Sequence, residues 1–218
     1  DKDGITLFQH LLYACDRAPK TNIPVRLAAL FHDLGKMESF KFSEGKISYP
    51  KHEIVSSDLS KNILQRLKFP NVTIERVSHL ILFHMITYTE NWTDSAVRRF
   101  IHRVGIPYLE DLFILMVSDF LGKEKPKGNL QGLKAFQTRI DSILSEDSVF
   151  SLKDLAINGE ILQKELGIPR GPIIGIILKE LLDTVLDDPS QNNREVLLNI
   201  SLNLFKKITS GTEKTGTH

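Results

Sequence analysis

Along nearly the whole chain, apolar residues recur at the three-and-four spacing of an amphipathic helix, which points to an all-α fold. Leu7, Leu11 and Ala14 share one face of a helix expected over Thr6–Arg17. Pro24 suits the first turn of a helix over Val25–Leu34, with Gly35 as its stop. Further helices are expected near His52–Leu67, Thr73–Thr87, Ser95–Val104, Tyr108–Leu121, Leu130–Leu144, Gly159–Leu166, Pro172–Leu186 and Asn193–Lys207. One stretch breaks the pattern. In Met37–Pro50, Phe40, Phe42, Ile47 and Tyr49 flank a Ser43-Glu44-Gly45 turn, as in a short hairpin or ordered loop.

The Lys-, Gly- and Pro-rich residues Gly122–Gly128 mark a boundary, giving a first domain over 1–122 and a smaller helical domain over 123–209. Residues 210–218 (Gly, Thr and Lys without periodicity) are expected to be a disordered tail. With 218 residues, 41% of them hydrophobic, the chain can bury a substantial core. A formal charge of +1 gives no global attraction to nucleic acid, so any such contact needs a local basic patch. The single cysteine, Cys15, excludes an internal disulfide and fits a reducing, cytoplasmic setting. No apolar run approaches the roughly 20 residues of a spanning helix, so no membrane partner is expected. The first residue is Asp1 and not methionine, which reads as a piece excised from a longer protein.

The dipeptide His32-Asp33, in FHDLGK, ends an apolar helix. Neighbouring helical residues point about 100° apart, so this pair grips a metal only if other helices complete the shell. His10, His52, His84 and Asp119 stand at helix positions able to do so. Mixed imidazole and carboxylate ligation suits one or two ions of Mn, Fe, Co, Ni or Zn, with Mg a further candidate. Asp33 is the natural bridge between two ions about 3.5–4 Å apart, since a carboxylate has two oxygens. Such a ligand set supports hydrolysis of phosphate esters. Lys36, one turn past His32, is placed to hold a phosphate oxygen. Taken singly, each of these residues also reads as an ordinary helix residue; the ordered set carries the weight. His79 is left out because it lies five positions before His84 and faces another side of the helix, and His102 reads as a surface residue beside Arg98 and Arg99.

The order His10, His32-Asp33, His52, His84, Asp119, with FHDLGK at its centre, resembles the HD phosphohydrolase superfamily in its six-ligand, two-metal form. Two longer segments resemble a narrower family. DSAVRRFIHRVGIPYLEDLFILMVSDF (Asp94–Phe120) and DLAINGEILQKELGIPRGPIIGIILKELLDTVLDDPSQNNREVLL (Asp154–Leu198) are similar to the HD and C-terminal helical regions of bacterial CCA-adding tRNA nucleotidyltransferases and poly(A) polymerases. The resemblance implies an HD-domain helical bundle followed by a smaller helical domain. It implies metal at the six positions, catalytic roles for Asp33 and Lys36, and phosphatase, 2′-nucleotidase or 2′,3′-cyclic phosphodiesterase activity.

The Gly-Gly-x-Val-Arg-Asp signature of that family's polymerising head does not occur here, so this chain by itself is not expected to add nucleotides. A head upstream in the native protein is expected. Partners implied are a nucleotide or RNA 3′-end phosphate, and tRNA through the helical arm. Substrate-binding residues are expected at Lys36, Lys51 and Arg99, with Arg98 and Arg103 as further phosphate contacts. The competing readings are a non-catalytic tRNA- or RNA-binding helical module, and a stand-alone nucleotidase that carries a similar tail.

Overall fold

A computed structural model of the chain describes residues 5–124, 130–146 and 151–212, excluding the side chains of 211 and 212. The all-α reading holds: the described residues form ten α-helices, three short 3₁₀ turns and one two-stranded ribbon. Contacts divide them into two units, residues 1–90 with 104–138, and residues 91–103 with 139–218. The boundary read near residue 123 thus falls inside the first unit. Residues 125–128 of the compositional break lie outside the described residues, and the division follows packing partners.

In the first unit, α1 (Leu7–Arg17) starts at a Thr6 cap whose side chain and that of Gln9 satisfy each other's backbone N–H groups. The Asn22 side chain accepts from the Val25 N–H to cap α2 (Ile23–Phe31), with Pro24 in its first turn. Helix α2 ends three residues before the expected Leu34, and Leu34–Lys36 forms a 3₁₀ turn instead. The cause lies at Gly35. Its N–H donates to Ser56 Oγ at 2.9 Å, drawing the backbone out of the α ladder onto the next helix. The hairpin follows as expected: β1 (Lys41–Ser43) and β2 (Lys46–Ser48) pair antiparallel with Phe42 opposite Ile47.

Helices α3 (His52–Arg66) and α4 (Asn71–Phe83) pack on each other, and the 3₁₀ turn packs on α3. Helix α6 (Ile106–Leu121) packs on α1, α2 and α4. Leu11, Ala14, Val25, Ala28, Ala29, Leu64, Val77, Leu80, Ile81, Leu112 and Leu115 are buried among these helices. Their apolar stripes meet as helical periodicity requires.

The second unit contains α5 (Asp94–Val104) up to Arg103, α8 (Gly159–Leu166), α9 (Pro172–Asp187) and α10 (Arg194–Thr212). Helix α7 (Leu130–Glu146) is divided by the grouping at residue 138. Helix α8 ends on Gly167 in the left-handed region, and α8, α9 and α10 pack together around Leu162, Ile177, Leu181, Val185 and Leu197. Helix α10 runs on to Thr212, so residues 210–212, expected as the start of the tail, are helical; 213–218 lie outside the described residues. No helix among the described residues is long and apolar enough to cross a membrane.

Candidate metal centre

Each of the six expected ligands comes from a helix end or interior of the first unit. His10 lies on α1, His32 caps the C-terminus of α2, and Asp33 begins the 3₁₀ turn. His52 opens α3, His84 closes α4, and Asp119 sits in the last turn of α6. All four histidines and Asp33 are buried.

Backbone carbonyls orient three of the four imidazoles closely. The Nδ1–H groups of His32, His52 and His84 donate to the carbonyls of Ala29, Tyr49 and Ile81 at 2.9, 2.8 and 2.7 Å. His10 Nδ1 lies 3.4 Å from the Gly122 carbonyl. With Nδ1 engaged by a carbonyl, Nε2 is the atom each ring turns toward the cluster, and it ligates a metal once it gives up its proton.

The carboxylates complete the arrangement. His10 and His32 Nε2 lie 3.1 and 3.3 Å from Asp119 Oδ1, and 3.6 and 3.4 Å from Asp33 Oδ2. On the other side, His52 and His84 Nε2 lie 3.1 and 3.7 Å from Asp33 Oδ1. The two oxygens of Asp33 therefore face different pairs of histidines. The ligand atoms of His10, His32 and Asp119 lie within 4.8 Å of one another, as do those of His32, Asp33 and His84.

Asp33 Oδ1, His52 Nε2 and Asp119 Oδ1 are buried without a hydrogen-bond partner. Buried polar atoms left unmatched are costly, and these lie on both sides of Asp33: Asp119 Oδ1 beside His10 and His32, and Asp33 Oδ1 with His52 Nε2 on the other. The residues present fit a bound metal.

Electrostatics agree. Burial opposes charge on His32, but the charges and hydrogen bonds of Asp33 and Asp119 outweigh it and hold the imidazolium up to about 10. Burial likewise opposes the Asp33 carboxylate, yet His32, His52 and His84 hold it well below the usual carboxylate range. Asp119 is lowered in the same way by His10, His32 and Lys123. His52 is raised because Asp33 and the Tyr49 carbonyl overcome its burial, whereas burial prevails at His84 and lowers it. The site demands positive charge.

Two lysines edge the cluster. Lys36 Nζ, expected to hold a phosphate oxygen, lies 2.5 Å from Asp33 Oδ2. Lys123 Nζ, 2.6 Å from Asp119 Oδ2, is a site residue that sequence reasoning missed. Its signal was its i,i+4 spacing from Asp119, hidden in the boundary-like composition after Gly122. Tyr49 was read only as a hairpin residue, yet its carbonyl orients His52 and its ring lies under Lys36.

The other expected residues divide. Lys51, in a left-handed conformation with φ 58°, caps α3 beside His52 and is exposed. Arg99 lies in the second unit, where its guanidinium pairs with Asp187 at 2.7 Å; Arg98 reaches the Leu186 carbonyl. His79, set aside from the ligand set, donates from Nε2 to the Val104 carbonyl at 2.7 Å and lies against Tyr108. His102 is exposed on α5.

The family described as tRNA nucleotidyltransferase domain 2 matches residues 53–200. The chain belongs to that family. Among curated relatives of this tRNA nucleotidyltransferase domain, the A-adding tRNA nucleotidyltransferase of Deinococcus radiodurans is 30% identical over 83% of the chain and 41% of the relative. The CC-adding tRNA nucleotidyltransferase of Thermus thermophilus is 33% identical over 80% of the chain and 38% of the relative. A multifunctional CCA protein of Herminiimonas arsenicoxydans is 41% identical over 28% of the chain and 15% of that protein. The chain spans about two fifths of the length of the first two relatives. No solved structure matches it. The family match begins one residue after His52, so within this tRNA nucleotidyltransferase-family chain it takes in His84 and Asp119 but not His10, His32, Asp33 or His52.

Proposed function

We propose that the chain is a divalent-metal phosphohydrolase of HD type, acting on nucleotide or RNA-end phosphomonoesters and 2′,3′-cyclic phosphodiesters within a tRNA nucleotidyltransferase-like protein. The observation carrying this reading is the Asp33 carboxylate, whose oxygens face two histidine pairs while Oδ1 has no hydrogen-bond partner. His10, His32, Asp33, His52, His84 and Asp119 would hold one or two ions of Mn, Fe, Co, Ni or Zn. Ions held there lower the pKa of water and offset charge on phosphoryl oxygens.

The chain's own residues supply the rest. Carbonyl-anchored imidazoles hold Nε2 toward the cluster, and their burial shields Asp33 from bulk water. Lys36 is less than a quarter exposed at the edge of the cluster, at 21% of its side chain, and can exchange Asp33 for a phosphate oxygen. Exposed Lys51 is a further phosphate contact. A polymerising head upstream, tRNA as the source of the RNA end and a cytoplasmic setting belong to the same proposal, supported by the named relatives.

The test is a His32→Ala, Asp33→Ala double variant compared with wild type by elemental analysis and by 2′,3′-cyclic nucleotide hydrolysis. Metal content and turnover should fall to background together. Full hydrolysis in the double variant defeats the proposal.

The competing reading is a non-catalytic RNA-holding module. Full metal occupancy without turnover on a phosphoester panel, together with tRNA binding that weakens steeply with salt, would select it.

A further inference from the structure

We propose that a shelf formed by Phe40 and Tyr49 beside the metal centre binds the nucleobase of a nucleoside phosphate whose phosphate lies at Lys36. This deepens the hydrolase reading, and rests on it only for the placing of the phosphate. A cavity of about 420 Å³ is lined by Leu7, Lys36, Met37, Phe40 and Tyr49, within the size range of small-ligand sites. Its one charged residue, Lys36, sits at the cluster edge; the rest of the lining is apolar or aromatic. The Phe40 and Tyr49 rings are 6.1 Å apart and inclined at 56°, forming two sides of an angled wall.

Folding leaves much of this lining uncovered. Met37 is 76% exposed and Phe40 52%, while every residue of the two hairpin strands is exposed. Apolar surface left open beside a charged site marks a place of binding. The chain path fixes the shelf to the centre at both ends. Phe40 follows shortly after Asp33 and Lys36, and Tyr49 precedes His52, whose ring its carbonyl holds. Lys36 Nζ lies 2.5 Å from Asp33 Oδ2 and over the Tyr49 ring at 5.6 Å from its centre, which sets the phosphate position beside the shelf and leaves the exposed Phe40 ring for the base. Every base offers a face for stacking on an aromatic side chain, so this shelf selects nucleosides over sugar phosphates without selecting among bases.

The experiment is calorimetry on the manganese-loaded chain with adenosine 3′-monophosphate, ribose 5-phosphate and inorganic phosphate, for wild type, Phe40→Ala and Phe40→Trp. Wild type should bind the nucleotide at least about tenfold more tightly than either base-free ligand, the effect of one stacking contact. Phe40→Ala should erase most of that ratio and Phe40→Trp should keep it. The exposure of Phe40 lets both variants fold, which their melting temperatures will show. Equal affinity of wild type for all three ligands, or an unchanged ratio in Phe40→Ala, overturns the shelf. A base-dependent affinity lost in Phe40→Ala without any hydrolysis by wild type leaves the shelf standing and removes the hydrolase reading. Hydrolysis that ignores the base does the reverse.

Discussion

Outside the metal centre, single side chains also decide how the first unit is held. Asp111 is buried and accepts from Asn22 Nδ2 at 2.7 Å and Arg76 Nε at 2.5 Å, tying the starts of α2 and α6 to α4. An Asp111→Ala change leaves both donors unmatched and should cost roughly 2–3 kcal/mol in urea unfolding. Metal content should stay that of wild type, because Asp111 touches none of the six ligands. His79 gives a pH signature. Burial lowers it, opposed by its bond to Val104 and reinforced by Arg76, so the fold prefers the neutral ring. The unfolded chain takes up a proton below about pH 6.5 where the fold resists it, so the His79 contribution is full above pH 6.5 and shrinks as pH falls. His79→Gln, whose amide can still donate to Val104, should show a shallower loss of melting temperature between pH 7.5 and 5.5 than wild type, these limits spanning about a unit either side of an ordinary imidazole. Parallel curves would refute this.

Elements meet at glycines. A Cβ on Gly35 would lie 2.5 Å from the His52 carbonyl oxygen and 2.7 Å from the Ser56 nitrogen; one on Gly122 would lie 2.7 Å from the Ala14 nitrogen. Gly35→Ala and Gly122→Ala should each cost about 1–3 kcal/mol or more and lower metal affinity, since backbone must shift beside a ligand. Gly175 has nothing within 4 Å of its would-be Cβ and lies inside α9, so Gly175→Ala should stabilise by roughly 0.5–1 kcal/mol. Denaturant midpoints would show the opposite signs.

The helices themselves were readable, because a stripe of apolar residues records one buried face whatever it packs on. The six cluster residues were readable only as an ordered set resembling a known motif, because each alone fits an ordinary helix position. The early end of α2 was not, because its cause is a hydrogen bond to Ser56, distant in sequence. Nor was the assignment of α5 to the second unit, which rests on partners such as Asp94 with Arg139 and Arg99 with Asp187 that no local pattern announces.

At the scale of the whole molecule, the candidate metal centre belongs to one unit and the single tryptophan to the other. Trp92 stacks edge-on against Phe100, so its emission reports the second unit. A cation that binds only the folded first unit adds about 2.7 kcal/mol to its stability at a hundred times its dissociation constant. Manganese should therefore raise the circular-dichroism melting transition, with a smaller shift in tryptophan emission. A chelator should reverse both. Neither should move in the His32→Ala, Asp33→Ala variant.

His10 meets Asp119 at 3.1 Å and the Gly122 carbonyl at 3.4 Å, across more than a hundred residues of chain. During synthesis from the N-terminus, His32, Asp33, His52 and His84 emerge well before Asp119, and closing so long a loop carries its own entropic cost. The pairing of His10 with Asp119 and the Gly122 carbonyl therefore forms only once residue 122 has left the ribosome. Any shortened form ending before that glycine would lose the carbonyl beside His10, and one ending before residue 119 would lose the Asp119 carboxylate as well.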